Sequence, residues 1–141
     1  MNTAIAAAKN KKLALTISEL ASRYKHCNLV DGKSPKTVKW YDEILRLFYK
    51  YVKIKLQSED ISLFNIDLVR DYILYLRHKP KFQGHPYTPE QDQLLSPKTV
   101  QCHVRALKAF SSWLYVEGHT RDNRLKSLKL PKAPTKVIQP L

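Results

Sequence analysis

Glycine is scarce in this chain: three in 141 residues, at Gly32, Gly84 and Gly118. Tight hairpin turns need positive φ, so a strand-and-turn architecture lacks its turn residues here. Alternating apolar and polar runs are missing too, whereas apolar residues recur three and four apart over several long stretches, which reads as an all-α protein. The two cysteines, Cys27 and Cys102, have no CxxC spacing, which excludes a disulfide framework or a zinc site of the usual kind. Both are expected as buried or half-buried free thiols. The five histidines, His26, His78, His85, His103 and His119, show no metal-ligand spacing. No paired carboxylates, no nucleophile beside a base and no glycine-rich phosphate loop are present, so no catalytic residue, metal or cofactor is expected. No apolar run approaches the roughly 20 residues that span a bilayer, and Ala4 to Ala8 is too short for a signal segment. A cytosolic protein without a membrane partner is the expectation.

Acidic residues are also few, 12 against 25 lysines and arginines, for a formal charge of +13. Such an excess calls for a polyanionic partner. The cations are spread over several helical stretches instead of crowding one amphipathic segment, which favours nucleic acid over a membrane surface. The length suits one domain with its own core, flanked by tails.

The most specific signal is a repeat. Ser-Pro-Lys-Thr-Val occurs at Ser34 to Val38 and again at Ser96 to Val100, 62 residues later, each time opening a long amphipathic stretch. Serine at the N-cap accepts a bond from an unpaired amide, and proline at the first helical position loses a donor that had no partner. Lysine in the first turn does not help the helix, whose N-terminal dipole end is already positive. A phosphate would compensate Lys36 and Lys98, because amides, a hydroxyl and an ammonium converge there. Otherwise the repeat is only a good helix start in a lysine-rich chain.

Four helices follow from the periodicity. The first begins after Thr16, with Glu19 at capping-box spacing, and runs to about Cys27 with Ile17, Leu20, Ala21 and Tyr24 inside. The second runs from Ser34 to about Ile54, burying Val38, Tyr41, Leu45, Phe48 and Val52 and turning Lys36, Lys39, Arg46, Lys50 and Lys53 outward. The third starts near Asn65, buries Leu68, Val69, Tyr72, Ile73 and Leu76, and ends before Pro80. Lys79 to Leu95, with three prolines and a glycine, is expected to be an exposed excursion. The fourth runs from Ser96 to about Glu117, stopped by Gly118. Its stripe repeats the second helix in register: Val100, His103, Leu107, Phe110 and Leu114, so His103 is expected in the core.

Beside that stripe, Thr99, Cys102, Ala106 and Ala109 form a strip of small residues next to a polar face of Lys98, Gln101, Arg105, Lys108 and Ser112. Small residues admit a close neighbour, which is either another helix or the wall of a DNA groove. Arg121 to Leu130 could hold one more helix, and the prolines at 131 and 134 read as a linker. The expected organisation is a basic arm over residues 1–12, a helical DNA-binding domain over 13–130, and a linker over 131–141 leading to a missing domain. On DNA the arm would add phosphate contacts, or it is simply a frayed terminus.

The ordered set of first helix, Ser34-Pro-Lys-Thr-Val with Tyr41 and Phe48, the Ile66 to Leu76 helix, Ser96-Pro-Lys-Thr-Val with Leu107, Phe110 and Trp113, Asp122-Asn123 before Leu125, and a Pro-Lys-rich linker resembles a known family. It is similar to the N-terminal core-binding, or SAM-like, domain of tyrosine recombinases and phage integrases, over about Leu13 to Pro134. The resemblance implies a four- to five-helix orthogonal bundle whose second and fourth helices cross near the DNA major groove, opposite a C-terminal catalytic domain. It implies double-stranded DNA as the partner, with DNA-backbone contacts from Lys36, Thr37, Lys98 and Thr99, at starts capped by Ser34 and Ser96, and a groove-facing surface of Lys39, Trp40, Gln101, Cys102, Arg105 and Ala106, with Lys108 on the same polar face. The family's tyrosine nucleophile and its arginine, lysine and histidine partners belong to the catalytic domain, so this chain is expected not to cut DNA by itself. Full-length members act as tetramers on paired sites, which implies a possible homo-oligomer. Two departures stand out: Asn123-Arg124 replaces the family's Asn-Pro, and the Lys79 to Leu95 excursion is long.

Two alternatives compete with a recombinase module. One is a free-standing helical DNA-binding factor of the transcription or nucleoid kind. The other is a basic protein-interaction bundle that docks an acidic partner through Trp40, Trp113 and Tyr115.

Overall fold

A computed structural model describes residues 15–79 and 94–133, and among these the chain forms four α-helices and no strand. The expected arm, most of the excursion and residues 134–141 of the linker lie outside the described residues.

The helix α1 (Ile17–Val30) is capped by Thr16, whose Oγ1 accepts from the Glu19 amide at 3.1 Å. It runs three residues past the expected stop at Cys27, because Asn28 is buried and belongs to its inner face. Gly32, at φ 79°, then makes the left-handed turn that ends the helix. The helix α2 (Pro35–Leu56) ends at Gln57, a non-glycine residue at φ 56° whose side-chain Nε2 donates to the Ile54 carbonyl at 3.0 Å. A single 3₁₀ turn (Ile61–Leu63), capped by Asp60, leads into α3 (Ile66–Arg77), capped by Asn65. The last helix, α4 (Pro97–Val116), closes through Gly118 at φ 78°, and the His119 amide returns to the Leu114 carbonyl at 2.8 Å.

The segment expected to hold one more helix, residues 121–130, does not form it. Residues 121–130 make turns held by bonds from the Lys126 amide to Asn123 and from the Leu128 amide to Leu125, both at 3.1 Å. What holds this segment is burial: Leu125 is fully buried and Leu128 nearly so, and the Leu125 amide donates to Ser111 Oγ of α4 at 3.0 Å.

The core is tied by a chain of aromatic rings, with each helix contributing at least one. Tyr24 of α1 lies 5.5 Å from Phe110 of α4, Phe110 lies 5.8 Å from Phe64, Phe64 lies 5.8 Å from Phe48 of α2, and Phe48 lies 5.0 Å from Tyr72 of α3. Edge-to-face pairs of this kind add about 1 kcal/mol each beyond their burial. Phe64, which sits between the 3₁₀ turn and α3, is the link that sequence periodicity does not reveal. The stripes of α2 and α4 are buried as expected, apart from Tyr41, which is half-buried.

Candidate nucleic-acid interface

The two pentapeptides fold alike. Ser34 sits at φ −61°, ψ 148° and Ser96 at φ −66°, ψ 149°, each followed by proline at the helix start. Ser34 Oγ accepts from the Thr37 amide at 3.2 Å, and Ser96 Oγ accepts from the Thr99 amide at 3.1 Å. In both copies the serine and threonine hydroxyls bond to each other at 2.9 Å. The Val38 and Val100 amides close onto the Ser34 and Ser96 carbonyls. With proline lacking a donor, the amide left open in each first turn is that of the lysine, Lys36 or Lys98. One amide and one ammonium on the same residue therefore stand open at each start. Both lysines are exposed, and among the described residues neither is paired with a carboxylate.

Around the start of α2, Lys36, Thr37, Lys39, Trp40 and Glu43 line a shallow cleft of about 500 Å³. Lys39 reaches Glu43 at 4.0 Å, an exposed pair one turn apart that leaves the ammonium accessible. Trp40 is partly exposed, its ring 4.9 Å from that of Tyr41.

On α4 the expected set divides. Ser96, Lys98, Thr99 and Arg105 are exposed. Gln101 and Lys108 turn to the other flank, where Gln101 Nε2 donates to the Pro131 carbonyl at 3.1 Å and Lys108 Nζ donates to the Leu128 carbonyl. Cys102 is half-buried, and Ala106 is fully buried. Ala106 therefore departs from the expected groove-facing surface: protein of this chain covers it, so the close neighbour that the small strip admits at this position is the bundle itself.

Several titratable groups are displaced from their ordinary ranges by burial, among them two histidines and Tyr24. Burial, helped by the nearby Lys79 ammonium, lowers His103 to about 4, so its ring is neutral, and its Nδ1 has no hydrogen-bond partner. Burial and the charge of Arg23 also lower His119. Tyr24 is raised to about 12 by burial and then by Tyr41. His119 lines a cleft of about 540 Å³ with Ser22, Cys27, Trp113 and Glu117, and among the described residues no set of histidine, cysteine and carboxylate side chains could hold a metal ion.

Sequence periodicity assigns no role to Arg124. Its guanidinium lies over the end of the 3₁₀ turn, with Nη1 donating to the carbonyls of Phe64 at 2.9 Å, Ile61 at 3.3 Å and Ser62 at 3.4 Å. That side chain ties the segment after α4 to the 3₁₀ turn. Arg121, Arg124 and Lys126 also line a cleft of about 620 Å³ with Tyr115 and Asp122, a cationic patch that periodicity could not assemble.

The fold is an all-α bundle whose two repeated helix starts are its most distinctive surface feature. No protein-family model and no curated protein matches the sequence. Among solved structures, the fold is similar to that of an integrase from mycobacterium phage Brujita, with a TM-score of 0.58 and 18% identity over 86% of this chain. The match takes in 35% of the integrase's own length. Among the described residues no helix is long and apolar enough to cross a membrane.

Proposed function

We propose that this chain is the DNA-binding module of a tyrosine recombinase or integrase, a core-binding domain that grips duplex DNA by its backbone at the starts of α2 and α4. Catalysis would require a separate domain carrying the tyrosine nucleophile. The observation that carries the reading is the pair of matched helix starts, each presenting an exposed lysine ammonium and an open amide on a chain of charge +13. Phosphate is the anion that fits this pairing of a helix N-terminus with a cation, and DNA supplies it at regular spacing. The likeness in fold to a phage integrase supports the same reading. Lys39, Trp40 and Arg105 extend the surface beyond the two starts, and base reading falls chiefly to Arg105.

Each backbone contact releases counterions, so binding weakens steeply with salt, by a slope of about 0.9 per phosphate neutralised. Replacing Lys36 and Lys98 together by alanine should weaken binding to random and specific duplexes alike and flatten the slope by about 1.8. Electrophoretic shifts across a salt series measure both quantities; unchanged affinity and slope would show that the helix starts do not hold phosphate.

A further inference from the structure

The outward side of α2 carries a line of large apolar residues outside the core that begins at Trp40, beside the proposed DNA surface, and continues through Leu47 and Ile54, which that surface does not use. Trp40, Leu47 and Ile54 stand seven residues apart and are 37%, 43% and 76% exposed. Seven residues are nearly two helical turns, so the three form one stripe about 21 Å long at 1.5 Å per residue. The fold does not require them. The positions 62 residues on, in the sister helix α4, are Cys102, Ala109 and Val116, and there the first two are small and half-buried. Phosphates have no use for Leu47 and Ile54 either. An apolar line of this length on an otherwise polar face marks a contact surface.

We propose that this stripe docks an amphipathic helix of a partner protein, one whose apolar seam is flanked by aspartate and glutamate. Shape and charge both point to that occupant. A single line at heptad spacing is the width of a helix–helix seam, narrower than the broad apolar face with which a helix lies in a bilayer surface. Along one flank run Lys39, Arg46, Lys50 and Lys53, all exposed, with Glu43 as the acid among them. A second copy of this chain would bring the same cations against them, whereas an acidic helix pairs with them at the flanking positions.

The probe is a labelled synthetic 21-residue helix with leucine at heptad spacing and glutamate on both flanks, compared with the same peptide carrying lysine on the flanks. Fluorescence anisotropy should show the acidic peptide binding the protein and the basic one not. Leu47→Glu and Ile54→Glu, both at exposed positions, should each weaken the acidic peptide by at least about tenfold, the effect of losing one buried aliphatic side chain. Circular dichroism checks that the variants keep their helices. Arg46→Glu with Lys50→Glu should reverse the preference toward the basic peptide, a gain that misfolding cannot imitate. The proposal is overturned if the acidic peptide fails to bind, or if both peptides bind equally. It is likewise overturned if Leu47→Glu abolishes a concentration-dependent dimer in sedimentation, which would assign the stripe to a second copy, or abolishes binding to phosphatidylglycerol vesicles, which would assign it to a lipid surface.

Discussion

His103 shows how one side chain carries the acid sensitivity of the core. The second helix has tyrosine at the equivalent position, half-buried, and the fourth has an imidazole 8% exposed with an unpartnered Nδ1. Burial first and the Lys79 charge second lower its pKa to about 4, below the ordinary histidine value of 6.5. The unfolded chain therefore binds a proton that the folded chain refuses between those two values, so stability falls as pH drops from about 6.5 toward 4 and is unaffected above that window. The expected loss is roughly 2 to 3 kcal/mol. Urea midpoints at pH 7 and pH 4.5 should separate clearly for the native chain. For His103→Leu the separation should shrink, and at pH 7 that variant should be no less stable, since it removes an unpaired buried nitrogen.

Helix starts are elements whose energetics and whose proposed binding role can be pulled apart. The serine of each pentapeptide caps the helix, and the lysine is the group proposed to hold a phosphate outside it. Ser34→Ala and Ser96→Ala each remove the acceptor of a first-turn amide, at Thr37 and Thr99, and should each cost about 1 kcal/mol in thermal or urea unfolding. Lys36→Ala and Lys98→Ala remove a cation from the positive end of a helix dipole and should leave stability unchanged or raised by a few tenths of a kcal/mol. If the lysine changes destabilised the fold as much as the serine changes, the lysines would be structural and the phosphate role would lose its footing. The α4 face also shows an element divided between two neighbours: Lys98 and Arg105 point to solvent, while Gln101 and Lys108 hold carbonyls of the segment that follows the helix.

Across the whole molecule, closure depends on contacts between distant parts of the chain. Arg124 joins the segment after α4 to carbonyls some 60 residues earlier, and Ser111 fixes the same segment by accepting from the Leu125 amide and donating to Asn123 at 2.7 Å. Arg124→Ala leaves the carbonyls of Ile61, Ser62 and Phe64 without their charged donor and should destabilise the domain by about 1.5 to 3 kcal/mol. Arg124→Lys should recover only part of that, because an ammonium cannot reproduce the planar guanidinium. Chemical denaturation of the three proteins orders them, and equal stability would show that the segment is held by Leu125 and Leu128 alone.

The four helices, their caps and their buried stripes were legible in the sequence because each depends on residues within one or two turns: serine before proline, asparagine before Ile66, apolar side chains three and four apart. The doubled helix start was legible for the same reason, as was the core position of His103. Other features lay beyond that local range. Ala106 on the inside, Gln101 and Lys108 turned to the chain's own carbonyls, turns in place of a helix over residues 121–130, and Arg124 bonded to the carbonyls of the 3₁₀ turn all depend on partners distant in the chain or on which surface another helix covers. By itself, then, the sequence determined where the four helices form and that the whole is strongly cationic. Only the tertiary structure decided which polar side chains remain free to meet a partner, because a side chain satisfied by a buried or distant carbonyl reads the same in sequence as one that faces water.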